Sequence, residues 1–181
     1  LSTSDYSFVG ENGSDYLGQV ASAGDVDGDG LADILVGATG NSDAGSFAGK
    51  AYLILGKSLG TTSVLSVSSA DYAFTGESAG DGAGFSISSA GDVDNDGLDD
   101  ILVGAWGNAD GGTGSGKAYL ILGKSLGATS SLSLSTADYA FVGEAAFDSA
   151  GRVAAAGDVD DDGLDDILVG ASGNDDGGSD S

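Results

Sequence analysis

The chain repeats itself, and this restricts its fold more than any other property it has. Ala23-Gly24-Asp25-Val26-Asp27 returns at 90–94 and again at 156–160, spacings of 67 and 66 residues. The segment 49–60, which ends in Gly56-Lys57-Ser58-Leu59-Gly60, returns unchanged at 116–127. A third element, Asp-Tyr-x-Phe-x-Gly-Glu, occupies 5–11, 71–77 and 138–144. Three markers on one period define a structural unit, and such a unit buries its apolar surface against its neighbours.

Each unit reads as four short strands. The first precedes the acidic loop (19–23, 86–90, 152–156). The second is the Ile-Leu-Val-Gly run at 34–37, 101–104 and 167–170, aliphatic throughout, as a strand buried on both faces would be. The third is 50–55 and 117–122. The fourth carries Tyr and Phe two apart, hence on one face. Gly, Ser, Asn and Asp fill the connections as turn residues, and no segment has a convincing helical pattern. Four strands per unit predict an all-β fold, a segment of a β-propeller built from four-stranded blades. The alternatives are a solenoid, whose turns run to about 20–30 residues, and tandem sandwiches, which need about 100 residues each.

The phase of the repeat predicts boundaries at 1–11 (outer strand of a preceding blade), 12–77 (blade), 78–144 (blade) and 145–181 (partial blade), about 2.7 units in all. Propellers close with roughly 4–8 blades. The expected partners therefore include further blades, from the same longer chain or from other copies. The start at Leu1 rather than Met fits a portion of a longer protein.

The acidic loops carry the chemistry. All three obey D-x-D-x-D-G-L-x-D, from Asp25 to Asp33, Asp92 to Asp100 and Asp158 to Asp166. Carboxylates at positions 1, 3 and 5 of a tight turn can converge on one point. Gly at position 6 permits the reversal, position 7 can offer a backbone carbonyl, and position 9 can close the shell. An all-oxygen set of this size and flexibility suits Ca²⁺ better than Mg²⁺. With neither His nor Cys in the chain, zinc and copper lack their preferred ligands. An EF-hand would need Glu at position 12, where this chain has Val36, Val103 and Val169.

The run Gly-Asp-Val-Asp-x-Asp-Gly-Leu-x-Asp-Ile-Leu-Val-Gly-Ala resembles the FG-GAP repeat of integrin α-chain propellers and their bacterial relatives. The resemblance covers essentially the whole chain. It implies a seven-bladed ring with calcium held between the first and second strands of a blade. The ligands it implies are Asp25, Asp27, Asp29, the Leu31 carbonyl and Asp33. The second set is Asp92, Asp94, Asp96, the Leu98 carbonyl and Asp100, and the third is Asp158, Asp160, Asp162, the Leu164 carbonyl and Asp166. Two features depart from the family pattern. Its Phe-Gly stands as Leu17-Gly18, Gly84-Phe85 and Ala150-Gly151, and its Pro after Gly-Ala as Thr39, Trp106 and Ser172. The near-identical units and the lack of Cys look more like a bacterial surface protein than an animal receptor.

Composition removes other classes of function. The 29 Asp and Glu against 5 Lys and Arg give a formal charge of −24, which disfavours nucleic acid and anionic lipid. No apolar run approaches the roughly 20 residues of a membrane helix, so no membrane insertion is expected. Gly111 to Lys117 resembles a P-loop but lacks the following Ser or Thr and leads into a strand. Gly56-Lys57-Ser58-Leu59-Gly60 matches G-x-S-x-G in a chain without a His base. The sequence thus predicts a non-enzymatic, calcium-binding module of an extracellular or cell-surface protein, acting in adhesion or structural interaction on a protein or glycan ligand. A lectin-like propeller and a subunit of an extracellular fibre are the alternatives. Trp106 could stack on a sugar or could cover a gap between blades.

Overall fold

The computed structural model describes residues 5–60 and 63–176. In chain order the strands are β1 (Ser7–Val9), β2 (Leu17–Gly24), β3 (Asp33–Ala38), β4 (Lys50–Ile54), β5 (Val64–Ser66), β6 (Tyr72–Thr75), β7 (Ala83–Gly91), β8 (Asp100–Ala105), β9 (Lys117–Ile121), β10 (Ser131–Ser133), β11 (Tyr139–Val142), β12 (Ala150–Gly157) and β13 (Asp166–Ala171). The only helical elements among the described residues are four 3₁₀ turns of three residues each. The predicted opening strand is described only from Asp5 onward, and residues 177–181 of the third unit lie outside the described chain.

The strands group by unit. β2, β3, β4 and β6 form one antiparallel sheet, β7, β8, β9 and β11 a second, and β12 and β13 pair as the opening of a third. The all-β architecture of repeated four-stranded sheets is consistent with a β-propeller segment. Two strands were absent from the four-strand reading. The excursion between β4 and β6 pairs β5 in parallel with β1, and the excursion between β9 and β11 pairs β10 in parallel with β6. Each of the two whole units thus pairs a short strand in parallel with the outer strand of the unit before it. The motif tyrosines reinforce this link: the Tyr6 hydroxyl donates to the Gly60 carbonyl at 3.0 Å, and Tyr72 to Gly127 at 3.1 Å.

The main core lies between the first two sheets, where Leu35, Leu53 and Phe74 meet Ile101, Val103 and Tyr119. A second layer, Leu102, Leu120 and Leu122, faces Val153 and Ile167 of the third unit. The central strand is therefore buried on both faces, as its unbroken apolar run predicts. Sheets approach closely enough that several positions admit only glycine, Gly37 and Gly104 among them. A Cβ on Gly37 would stand 2.1 Å from the Gly84 carbonyl oxygen, and one on Gly104 would stand 1.8 Å from that of Gly151.

A polar network crosses the same junctions. Lys117, first residue of β9, donates to Glu77 at 2.7 Å and Asp110 at 2.6 Å, while the Tyr119 hydroxyl donates to Glu77 at 2.9 Å. Lys50 repeats this with Glu11 at 3.3 Å and Asp43 at 2.6 Å. The Gly111 to Gly116 segment is accordingly an inter-strand turn, and the lysine that follows it, Lys117, is engaged in joining units.

Candidate metal centre

The acidic loops connect β2 to β3, β7 to β8 and β12 to β13, at the same end of every sheet. Each is shaped by its own first aspartate. Asp25 accepts the amides of Asp29 (3.1 Å) and Gly30 (2.9 Å), and Asp29 accepts that of Leu31 (2.9 Å). The same bonds recur in the second loop through Asp92 and Asp96, and in the third through Asp158 and Asp162. These side-chain to backbone bonds wrap the turn around its carboxylates. At the sixth position Gly30, Gly97 and Gly163 all have φ near +88° (87°, 88° and 89°), where a side chain is disfavoured. The second-position valine docks the loop: Val26 is buried in the core, whereas Val159 of the last unit is exposed.

One oxygen from each of Asp25, Asp27 and Asp29 comes within 4.8 Å of the others, and the same holds for Asp92, Asp94 and Asp96. In the third loop the converging set is Asp158, Asp160 and Asp166. Asp33 and Asp100 do not join these trios. The Asp33 carboxylate is buried and accepts the Val26 amide at 2.9 Å and the Gly56 amide at 2.7 Å. Asp100 does the same with Val93 and Gly123, both at 2.9 Å. Burial raises both carboxyls above their usual 3.8 against the pull of these amides, with the neighbouring loop aspartates adding to the rise. Asp162 lies outside the third trio and holds Leu164.

The donor set fits a hard cation. It is all oxygen, three carboxylates converge in each loop, and Asp94 Oδ1 is buried with no hydrogen-bond partner. A carboxylate oxygen removed from water and left unpaired is costly, and a cation at the centre of the trio would satisfy it.

Two features of the loops escaped the sequence reading. The Gly56–Ser58 turn packs on the first loop, its glycine amide on Asp33 and its lysine ammonium paired with Asp27. Gly123–Ser125 packs on the second loop, with Lys124 paired to Asp94 and 3.9 Å from Asp96. The unchanged recurrence of Gly-Lys-Ser was the available signal. Second, the eighth loop residue ties successive loops together. Asp99 accepts the Asp25 amide at 2.7 Å, and Asp165 accepts that of Asp92 at 3.0 Å. Trp106 lies at the other end of the sheets, over Gly82 and tilted against Phe85 at 6.2 Å, yet 46% exposed.

Residues 17–54 and 83–121 each match the family model of the FG-GAP repeat. These stretches are β2 to β4 and β7 to β9 with their acidic loops. A comparison with curated proteins gave no match. Repeat motif, loop position and strand order agree in both matched units, and these two units are FG-GAP repeats.

Proposed function

We propose that this chain is a calcium-binding, non-enzymatic segment of a seven-bladed β-propeller in an extracellular or cell-surface protein, serving adhesion or structural interaction. The observation that carries the reading is the convergence of three carboxylates in every loop, with Asp94 Oδ1 buried and unpartnered in one of them. That two units are repeats of a family found in integrin-like propellers, generally as binding or structural modules, supports it.

Calcium bound there would supply positive charge to a cluster whose members otherwise repel. Asp25, Asp27 and Asp29, Asp92, Asp94 and Asp96, and Asp158, Asp160 and Asp166 would hold it. Asp33 and Asp100 anchor the first two loops to the core through backbone amides, and the Leu31, Leu98 and Leu164 carbonyls and Asp162 complete the proposed shells. Each loop joins the first two strands of its sheet, so a filled site fastens that hairpin and metal affinity becomes folding stability. Sites of sensor grade or weaker fill at the millimolar calcium found outside cells.

Isothermal titration with Ca²⁺ tests the assignment. The chain should take up three ions, and the Asp92→Asn/Asp94→Asn variant two, with its circular dichroism unchanged. No uptake by the parent chain, or equal uptake by both, would refute it. The exposed Tyr16–Phe47 stack, with centroids 6.0 Å apart, offers aromatic surface on which a protein or glycan ligand could be held.

A further inference from the structure

The chain has only five cationic side chains, and two of them lie on acidic loops. Lys57 pairs with Asp27, and Lys124 pairs with Asp94 while standing 3.9 Å from Asp96. Both are delivered by the same device. A 3₁₀ turn follows the third strand, its glycine sits where a Cβ would meet loop backbone (2.7 Å from the Ala32 oxygen at Gly56, 2.7 Å from the Asp99 oxygen at Gly123), and the next residue reaches the trio. The turn is pinned from behind as well. Asp71 accepts the Leu55 amide at 2.8 Å and the Ser58 hydroxyl at 2.6 Å, and Asp138 does the same for Leu122 and Ser125 at 2.9 and 2.7 Å. The lysine is thus placed by a rigid anchor on a flexible stem. Its side chain is about half exposed, 53% at Lys57 and 51% at Lys124, so it can swing into water without disturbing the core. No ion pair reaches the third loop among the described residues.

We propose that Lys57 and Lys124 are tethered counter-cations of the first two loops: each neutralises its carboxylates when calcium is absent and yields to calcium when it binds. The inference rests on the calcium reading of the loops. An ammonium on a four-carbon stem is a compact point charge that can take one position on a carboxylate cluster without fixing its geometry. Its presence lowers the repulsion that would otherwise open the metal-free loop, and it raises the calcium concentration at which that loop fills. Loops one and two therefore respond to calcium over a higher range than they would without their lysines. A lysine ammonium is charged throughout the neutral pH range, so the competitor is always cationic there.

The test compares the parent chain with Lys57→Gln, Lys124→Gln and the double variant, with Ca²⁺ as the only ligand. Titration calorimetry should show calcium binding about five-fold tighter at one site in each single variant and at two sites in the double variant, the upper end of what an exposed ion pair supplies. The metal-free thermal midpoint should fall in the same variants while the calcium-loaded one holds. A readout on the unaltered chain guards against misfolding: amine acetylation followed by mass spectrometry. Calcium should speed labelling of Lys57 and Lys124 and leave the inter-sheet Lys50 and Lys117 unchanged. Calcium uptake with equal affinity in all four proteins, and no change in labelling, would overturn the lysine proposal and leave the calcium sites standing. No calcium uptake by any of the four would overturn both.

Discussion

Leu102 and Leu168 occupy the same place in the same hexapeptide, Asp-Ile-Leu-Val-Gly-Ala, yet one is 0% and the other 58% exposed. The difference comes from the neighbours: among the described residues β8 lies between two sheets, whereas β13 packs against the second sheet on one side and has no sheet on the other. Leu102→Ala should therefore cost about 2–5 kcal/mol, and Leu168→Ala about 0.5 kcal/mol or less, measured by chemical denaturation. Equal costs would contradict this packing. At the same scale, sequence spacing placed carboxylates at the first, third and fifth loop positions, and the structure brings those groups together in two loops. Spacing did not reveal that Asp33 and Asp100 spend both oxygens on the amides of Val26, Gly56, Val93 and Gly123. Half of those partners lie 23 residues away, on a turn whose docking depends on strand register. For the same reason Lys57 went unread: its proximity to Asp27 exists only once β4 pairs with β3.

Between elements, Lys50 and Lys117 bind the outer strand of one unit to the third strand of the next. Burial pulls each ammonium down, but the hydrogen bonds to Asp43 and Glu11, or Asp110 and Glu77, outweigh it and leave the group above 10.5. Burial first, then the acidic neighbours, also push the Tyr52 and Tyr119 hydroxyls above 10.0. Both shifts have one sign: the fold holds protons that the unfolded chain releases above about pH 10. Stability is retained below that value and lost as pH rises through it. Denaturation midpoints between pH 9 and 12 should fall from about pH 10, and phenolate absorbance from Tyr52 and Tyr119 should appear only with unfolding. A flat profile, or early ionisation of both tyrosines, would contradict the buried network. The second and third strands of a unit were legible because Ile-Leu-Val-Gly-Ala and Ala-Tyr-Leu-Ile are continuous apolar runs between turn residues, the first from its place before the acidic loop and the fourth from its Tyr and Phe two apart. β5 and β10 were not. Val64-Leu65-Ser66 and Ser131-Leu132-Ser133 are too short and too serine-rich to stand out, and they are strands only because the preceding unit offers an edge.

Over the whole molecule, the acidic loops lie in series along one end of successive sheets, linked by Asp99 to Asp25 and Asp165 to Asp92. The lysines at the first two loops and the bonds between neighbours temper a surplus of negative charge that would otherwise push the units apart. The repeat, with its fixed period and recurring loop, exposed this arrangement in sequence. The coupling between loops did not show there, because the eighth position is Ala32 in one unit and Asp99 or Asp165 in the others. If calcium fastens the hairpins, stability must follow calcium. The decisive measurement is thermal unfolding of the whole chain titrated with Ca²⁺, with EGTA and with Mg²⁺, paired with native mass spectrometry. The account predicts a midpoint that climbs with calcium, three bound ions, reversal by EGTA and little response to magnesium. An unchanged midpoint, or an equal rise with magnesium, would contradict it.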